Sequence, residues 1–403
     1  MPVVTHEVAY LLLIFGLMVF PRVVQRFRIP APLTSFGLGM VAAVALGSFS
    51  HDATVALLAT LGIASLFLFA GLEVDLHDLR QGKWPLLGHL AVRTLTLGAA
   101  AWAAMHFFDF SWQVAVLLGL AVLTPSTGFI LDTLPMLDID DAERHWVRMK
   151  AVIGELFALV VLFVVLQSGS ASNLALSSLA LAAMIVGLPL LYIGLGRFVI
   201  PHARGSEFSL LLMVGVISAY LTYQLGVYYL VGAFLAGFIA KLLRDRLPLL
   251  ASDANLHAIQ MFASFFVPFY FFYKGMGVPS GALTVEALGI GLGLTLVALP
   301  LRVGSVWLQR RLIKGESALG SLRVAAALTP TLIFTLVLAG ILREKFQLPD
   351  TIYGGLLIYA GLSTMLPSLV MSRPVDFDLM SGTSEPADAA PPKPAAMPRE
   401  ATP

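Results

Sequence analysis

The sequence lacks cysteine altogether and is poor in charged residues. None of its 403 residues is cysteine, which excludes disulfide bonds, thiol catalysis and cysteine-ligated metals. Charged residues make up 12% of the chain, well below the share typical of soluble domains, whereas hydrophobic residues make up 58%. The net charge of +1 comes without a basic tract, so the composition does not indicate a nucleic-acid partner. These proportions predict a polytopic integral membrane protein.

Sequence motifs of enzymes are absent as well. The chain has no phosphate-binding glycine loop, no nucleophile beside a base, and no histidine and aspartate cluster with metal-ligand spacing. We therefore expect neither an enzyme nor a cofactor, and this argues against ATP-driven pumps and intramembrane metalloproteases. The first residues lack a charged segment and a small-residue cleavage site, so the first apolar run is expected to be a retained helix.

Long apolar runs predict thirteen membrane-spanning helices joined by short connections. They lie at about residues 7–22, 31–48, 54–75, 85–107, 112–134, 146–168, 173–196, 207–225, 227–243, 258–277, 283–308, 319–342 and 350–371. We expect one all-α transmembrane domain over residues 1–372. Residues 373–403 are polar and rich in proline and alanine, which predicts a disordered cytoplasmic tail.

Basic residues concentrate in alternate loops and predict the orientation. The loops with few basic residues hold only Lys274, Arg343 and Lys345. The loops that are rich in basic residues hold Arg22, Arg26, Arg28, Arg80, Lys83, Arg144, Arg148, Lys150, Arg197, Arg204, Lys241, Arg244, Arg246, Arg310, Arg311 and Lys314. By the positive-inside rule the rich loops are cytoplasmic, so the N-terminus is expected outside and the C-terminus inside.

Two short motifs recur at one offset and indicate an internal repeat. LTPST at 123–127 is echoed by LTPTL at 328–332, and FAGLEVD at 69–75 by FYKGMGVP at 272–279. Both offsets are about 200 residues and equal seven predicted spans, and an odd offset inverts the second copy, as in many secondary transporters. We expect repeat one at about 7–168, a linker helix at 173–196 and repeat two at 207–371.

Each repeat contains a proline between hydroxyl residues in the middle of a span. Pro125 lies among Thr124, Ser126 and Thr127, and Pro330 lies between Thr329 and Thr331. Proline removes a backbone donor and frees carbonyl groups, and the hydroxyls can satisfy the backbone or offer oxygens to a cation. One motif alone is compatible with an ordinary proline kink. The matched pair favours two facing broken helices with a functional role.

Glu155 is the single charged residue within residues 151–173. A charged carboxylate at that depth costs several kcal/mol unless it pairs, protonates or binds a cation, and each of these is a step in ion transport. A structural ion pair or hydrogen-bonded acid is the alternative. The neighbouring Gly154 is small enough for an ion or another helix to approach closely.

Arg302 and Arg93 are charged residues inside predicted spans. Arg302 cannot release its proton at accessible pH, so it can serve as a fixed counter-charge near the site or across the broken helices. The alternative is that Arg302 snorkels towards the cytoplasmic face. For Arg93, about a third of the way into the fourth span, we expect snorkelling.

With these residues in view, the chain resembles the second branch of the monovalent cation:proton antiporter superfamily. That branch holds bacterial sodium/proton exchangers and the membrane domains of Kef-type potassium efflux systems. The resemblance covers nearly all of residues 7–372. It is carried by LGIASLFLFAGLEVDLHDLR (61–80), RMKAVIGELFALVVLFVV (148–165), VGAFLAGFIAKLL (231–243) and FFVPFYFFYKGMGV (265–278).

The resemblance implies an inverted-repeat sodium/proton antiporter-like fold with two crossing broken helices. It also implies a mobile core, an elevator-like motion, a homodimer through the early spans and a place in the lipid of the bacterial inner membrane. Glu155 takes the place of the acid that binds cation and proton alternately. The hydroxyls join it from the two crossing helices (Thr124, Ser126, Thr127, Thr329 and Thr331), and Arg302 falls near the family's basic residue in the corresponding late helix.

The chain departs from the family pattern at the acid and its neighbour. The acid is glutamate rather than aspartate, and Gly154 stands where electrogenic members have a second aspartate. A single titrating acid with a permanently charged Arg302 predicts one cation for one proton, which is electroneutral exchange. The resemblance does not choose between sodium, potassium and lithium.

The leading interpretation is therefore a proton-coupled sodium or potassium antiporter in which cation and proton compete for Glu155. One alternative is a potassium efflux pathway of the Kef type. Another is an organic-anion/sodium symporter on a similar fold, with Arg302 as the anion partner. A membrane scaffold without transport is a further alternative, because residues 154 and 155 depart from the family pair.

Overall fold

The computed structural model describes residues 6–45, 52–74, 83–203, 205–226 and 228–371. Within these ranges the chain is helical and has no strand, as predicted. The helices are α1 (His6–Gln25), α2 (Ala31–Ala45), α3 (Ala53–Leu72), α4 (Lys83–Phe108), α5 (Trp112–Leu123), α6 (Thr127–Thr133), α7 (Asp141–Gln167), α8 (Ala171–Gly194), α9 (Glu207–Gln224), α10 (Tyr229–Leu242), α11 (Asp253–Met276), α12 (Val285–Lys314), α13 (Ala318–Ala327), α14 (Leu332–Phe346) and α15 (Asp350–Met371).

Many of these helices are suited to cross a membrane. Among the described residues, nine helical segments are long and apolar enough to do so, or ten if the bent pair α13 and α14 forms one span. Two shorter apolar helices lie at Ala31–Ala43 and Tyr229–Leu242. The total of thirteen spans and the orientation stay predictions. The predicted disordered tail at 373–403 lies outside the described residues, as do Asp75, Arg80 and Arg204.

Polar residues at the helix ends explain where several helices begin. Asp140 starts α7 through a capping box: its Oδ1 accepts from the Glu143 N–H at 2.7 Å, and Glu143 Oε2 accepts from the Asp140 N–H at 3.1 Å. Asp52 caps α3 by accepting from the Val55 N–H at 2.9 Å. These acids also complement the positive end of the helix dipole.

The helices fall into two groups that pack mainly within themselves. The first, called here the panel, comprises α1, α2, α3, α9, α10 and α11, and the second, called the core, comprises α4 to α7 and α12 to α15. Glycines allow the panel backbones to touch. An added Cβ would lie 2.0 Å from the Phe272 carbonyl oxygen at Gly39, and 2.1 Å from the Phe36 carbonyl oxygen at Gly275. This is the small-residue packing that joins membrane helices closely.

Two broken helices cross within the core. The pair α5 and α6 is separated by residues 124–126, and the pair α13 and α14 bends by 44° at residues 328–331. Helix α5 packs against α14, and the two breaks meet there. The predicted pair of crossing broken helices is therefore confirmed, and the break residues lie at their intersection.

Candidate functional site

Both proline motifs end one half-helix and start another. Thr124 leaves α5 in an extended conformation (φ −81°, ψ 124°), and Ser126 enters α6 in another (φ −92°, ψ 94°), as expected where Pro125 removes a backbone donor. The two breaks bond directly to each other: the Ser126 N–H donates to the carbonyl oxygen of Pro330 at 2.8 Å. The extended segments are thus held in register at the crossing.

Side chains reinforce the crossing from both partners. Ser126 Oγ accepts from the backbone N–H groups of Ile333 at 3.0 Å and Phe334 at 3.3 Å, so it caps the start of α14 from the break between α5 and α6. In the other direction, Thr335 Oγ1 donates to the carbonyl oxygen of Ala121 in α5 at 2.7 Å. Each broken helix therefore satisfies backbone groups that the break in the other leaves free.

Glu155 comes from α7 and reaches the start of α6. Its side chain is only 2% exposed, and one carboxylate oxygen accepts from the backbone N–H of Thr127 at 3.1 Å. The N-terminus of a helix carries a partial positive charge, so this position suits an anion. Among the described residues, no arginine, lysine or histidine forms an ion pair with Glu155. Its ionised state is thus supported by a helix end and not by a basic side chain.

The predicted hydroxyl ligands differ in how they are used. Oγ1 of Thr124 is buried and has no hydrogen-bond partner among the described residues, whereas the buried Oγ1 of Thr127 lies close to the Glu155 carboxylate. The others are engaged: besides Ser126, Thr329 Oγ1 donates to the Ala326 carbonyl at 2.8 Å, and Thr331 Oγ1 bonds to Ser363 Oγ at 2.9 Å. Thr124 and Thr127 both belong to the first broken helix, whose second half bonds to Glu155.

Arg302 binds the end of the second broken helix. Its guanidinium donates to the carbonyl oxygens of Leu328 at 2.8 Å and Thr329 at 2.7 Å, and to the hydroxyl of Tyr359 at 3.0 Å. Tyr359 in turn donates to the carbonyl oxygen of Val122 at 2.7 Å, near the end of α5. Arg302 is buried at 9% exposure and so offsets the negative end of α13 from α12. None of these bonds reaches Glu155.

Arg93 likewise binds the carbonyl end of α5, the first half of the first broken helix. Our expectation that Arg93 snorkels was therefore wrong. Its guanidinium donates to the carbonyl oxygen of Leu123, the last residue of α5, at 2.9 Å. It also packs on Gly154, where an added Cβ would lie 2.7 Å from Nη1. The free carbonyl at the break holds the guanidinium inside the core, and Gly154 leaves the space that it fills.

Reasoning from the sequence missed this pair of roles. Arg93 and Arg302 each lie in the helix that precedes a broken helix, and each binds the carbonyl end of its first half. Their spacing of about 200 residues matches the offset of the two proline motifs. That coincidence was the available sign in the sequence. Ser363 was also missed, since a serine in an apolar span carries no comparable mark.

The chain is similar to known proteins along most of its length. The transmembrane model of the sodium/hydrogen exchanger family matches residues 10–375. A probable sodium/proton antiporter 3 of Methanocaldococcus jannaschii is 25% identical over 289 residues, covering 68% of this chain and 71% of that protein.

Solved structures of a sodium proton antiporter from Methanocaldococcus jannaschii share the fold. The structure at pH 8 matches with a TM-score of 0.63 and 16% identity, covering 90% of this chain and 95% of that one. An electron-microscopy structure of the antiporter matches with a TM-score of 0.65 and 16% identity, covering 92% and 95%.

Proposed function

Because this chain belongs to the sodium/hydrogen exchanger family, we propose that it exchanges a monovalent cation, sodium or potassium, for a proton across a membrane. Glu155 is the shared site in this proposal, and cation and proton compete for its carboxylate. The protein is a multi-pass membrane protein, and we place it in the bacterial inner membrane as a homodimer with the N-terminus outside.

One observation carries the proposal. The carboxylate of Glu155 is buried at the start of α6, close to the buried hydroxyl of Thr127, and the adjoining break contains the buried hydroxyl of Thr124, which has no partner among the described residues. Hard cations prefer oxygen ligands, and a dehydrated cation needs several of them. A carboxylate with these two hydroxyls supplies the start of such a set. Protonation of the carboxylate removes its charge, so the proton and the cation exclude each other.

Charge counting favours an exchange of one cation for one proton. Glu155 is the titrating acid at the crossing, because Gly154 supplies no second carboxylate. Arg93 and Arg302 keep their charge throughout, and both are bonded to carbonyl oxygens at the helix ends. The core therefore carries the same charge with a bound proton as with a bound monovalent cation. Transport is electroneutral in this proposal.

The grouping of the helices is consistent with movement of the core against the panel. A cavity of about 320 Å³ lies where the groups meet, lined by Leu66 of α3 and Phe271 of α11 on one side and by Gly128 and Phe129 of α6 on the other. Gly128 directly follows Thr127, so the cavity is lined by the residue next to the one that bonds to Glu155. We propose that the cation reaches Glu155 from it, and that either neutralised state lets the core move.

The test is the variant Glu155→Gln in proteoliposomes. We expect cation-dependent proton flux to fall to the level of liposomes without protein, because an amide neither binds a cation strongly nor exchanges a proton. Glu286→Gln, at an exposed acid in the first turn of α12, is the matched control and should transport normally. Retained flux in a correctly inserted Glu155→Gln protein would refute the proposal.

Competition at one carboxylate also predicts how flux depends on pH. Below the pH at which Glu155 is half protonated, the apparent KM for the cation should rise by about tenfold for each unit of falling pH, while the maximal rate at saturating cation changes little. Initial rates measured at several pH values, with equal pH on both sides, give the two quantities. A maximal rate that falls with pH at unchanged KM would indicate separate sites.

The response of transport to an imposed membrane potential distinguishes electroneutral from electrogenic exchange, and the conductance distinguishes a carrier from an efflux pathway. Electroneutral exchange proceeds at the same rate with and without an imposed potential. If a potential alone drove cation uptake, the one-for-one ratio would be wrong. Conductance above carrier turnover rates would instead favour a potassium efflux pathway of the Kef type. Organic-anion uptake that depends on Arg302 and is indifferent to Glu155 would favour the symporter alternative.

A further inference from the structure

A second cavity is lined by both arginines of the broken-helix ends, Arg93 and Arg302. It measures about 40 Å³ and is lined by His89, Arg93, Thr96, Arg302 and Ser305 together with apolar side chains. None of the described residues that line it is aspartate or glutamate. Both arginines line the same partly open space, and no described acid lies among the residues that line it.

The hydrogen bonds of the two arginines leave several donors unused. A guanidinium has five N–H groups. Arg302 uses three of them on carbonyl oxygens and a phenol, and Arg93 uses one on the carbonyl oxygen of Leu123. Within the described part of the chain, neither forms an ion pair with a carboxylate. The hydroxyls of Thr96 and Ser305 donate to backbone carbonyls, so the polar groups left without a described partner here are guanidinium N–H groups and Nε2 of His89.

The local charge is not balanced by the protein groups that bind the arginines. The carbonyl ends of α5 and α13 each carry about half a unit of negative charge. They offset roughly one of the two positive charges, which leaves about one unit in a buried region. A buried charge of this size is costly unless an ion of opposite sign accompanies it. A single monovalent anion would restore the balance.

We propose that this cavity binds a small monovalent anion, chloride or a short carboxylate such as formate, between the guanidinium groups of Arg93 and Arg302. The size of the cavity sets the class. About 10–15 Å³ is enough for one water molecule, so 40 Å³ holds a small anion with a water or two. Organic ligands of drug size need about 300 Å³ or more. The anion is therefore a fixed charge that stabilises the core, and it binds independently of cation transport.

The experiment measures Tm of the purified protein in detergent at constant ionic strength, without any transport assay. Gluconate, which is too large for the cavity, is replaced stepwise by chloride, bromide or formate. We expect a saturable rise in Tm for the wild type, because a ligand that binds only the folded state stabilises it. A rise with chloride and bromide identifies a halide, and a rise with formate alone identifies a carboxylate.

Two variants and one control decide whether the cavity is the site. Arg93→Gln should weaken the anion affinity by about tenfold or more, since it removes a charge-assisted partner. Ser305→Leu fills the cavity while both guanidiniums remain, and it should abolish the rise. Arg343→Gln alters an exposed arginine paired with Asp350 and should leave the rise unchanged.

A direct reading uses bromide in the wild-type protein. Anomalous density for bromide between the two guanidiniums would support the proposal even if Arg93→Gln fails to fold. A wild-type Tm that follows ionic strength alone would overturn it. Equal halide effects in the wild type and in Ser305→Leu would overturn it as well, because the anion would then bind elsewhere.

Discussion

At the scale of single residues, the properties of the site depend on the groups that surround Glu155. Its carboxylate is bonded to the N–H of Thr127 at the start of a helix. The residue before it on α7 is a glycine, and the space beside that glycine is filled by Arg93. A side chain at 154 would compete for that space with a guanidinium held by the α5 carbonyl end. Residue 154 therefore acts on the site through Arg93.

The variant Gly154→Ala tests this relationship. The new methyl group would lie 2.7 Å from Nη1 of Arg93, so the guanidinium must move away from the Leu123 carbonyl. We expect a loss of about 1.5–3 kcal/mol of stability, the usual contribution of a hydrogen bond to a charged group. Thermal unfolding in detergent measures it. Gly98→Ala, on the same helix as Arg93 and in open space, is the control and should be neutral or slightly stabilising.

If Gly154→Ala is as stable as Gly98→Ala, the hydrogen bond from Arg93 to the Leu123 carbonyl does not contribute to stability. Proton flux in proteoliposomes gives a second reading. Because the carbonyl end of α5 would lose its partner next to the cation site, we expect slower exchange in Gly154→Ala and unchanged exchange in Gly98→Ala.

At the residue scale, the functional role of Glu155 stays a prediction, although its side chain is buried as expected, and the expected snorkelling of Arg93 was wrong. A lone acid in an apolar run is costly in any membrane fold, so its importance follows from solvation alone. Whether an arginine stays within the membrane-spanning part depends on whether a free carbonyl group there can accept its hydrogen bonds. The sequence of residues 83–108 does not show whether such a group is present. For Arg93 that carbonyl belongs to Leu123 at the end of α5, which is a different helix.

At the scale of helices, the proline motifs predicted the breaks but not how the breaks satisfy each other. Proline excludes a continuous helix at 125 and 330, and the repeat predicts that the two interruptions face each other. The cap of α14 by Ser126 joins residues far apart in sequence, so no local pattern reports it. The predicted role of Ser126 as a cation ligand stays a prediction, and its hydroxyl is already used as a cap.

The variant Ser126→Ala measures that cap. It leaves the first N–H groups of α14 without their acceptor inside the core, where water cannot replace it. We expect a loss of about 1–2 kcal/mol, which is typical for removal of an N-terminal cap. Ser65→Ala is the matched control, because Ser65 is equally buried and donates only to Gly62 of its own helix. Equal Tm values for the two variants would contradict the capping role.

At the scale of the whole molecule, the sequence predicted membrane helices and a repeat, and the resemblance implied a mobile core, but neither showed which helices form the panel and which form the core. That grouping depends on which glycines meet which backbones. Gly39 and Gly275 face each other's helices across the contact of α2 and α11, and a Cβ on either would collide with a carbonyl oxygen. Gly37, only two residues away, has open space around it. The sequence alone does not distinguish these two positions.

We therefore expect opposite effects of Gly275→Ala and Gly37→Ala on the recovery of folded protein. In Gly275→Ala the new methyl group would lie 2.1 Å from a backbone oxygen, which cannot rotate away, so α2 and α11 must separate. We expect little folded protein after extraction in detergent. Gly37→Ala should be recovered at the wild-type level. Size-exclusion profiles of both variants give the comparison, and normal recovery of Gly275→Ala would contradict the close packing of the panel.

The bonds between the two broken helices have a mechanical consequence. The Ser126 backbone and side chain join the start of α6 to the break and start of α14, and Thr335 ties α14 back to α5. Because these links close a loop across the crossing, the four half-helices must travel together as one stiff part. Any hinge must then lie outside the crossing, so the oxygens around Glu155 keep their spacing during transit. Selectivity for the cation would accordingly be the same from either side of the membrane.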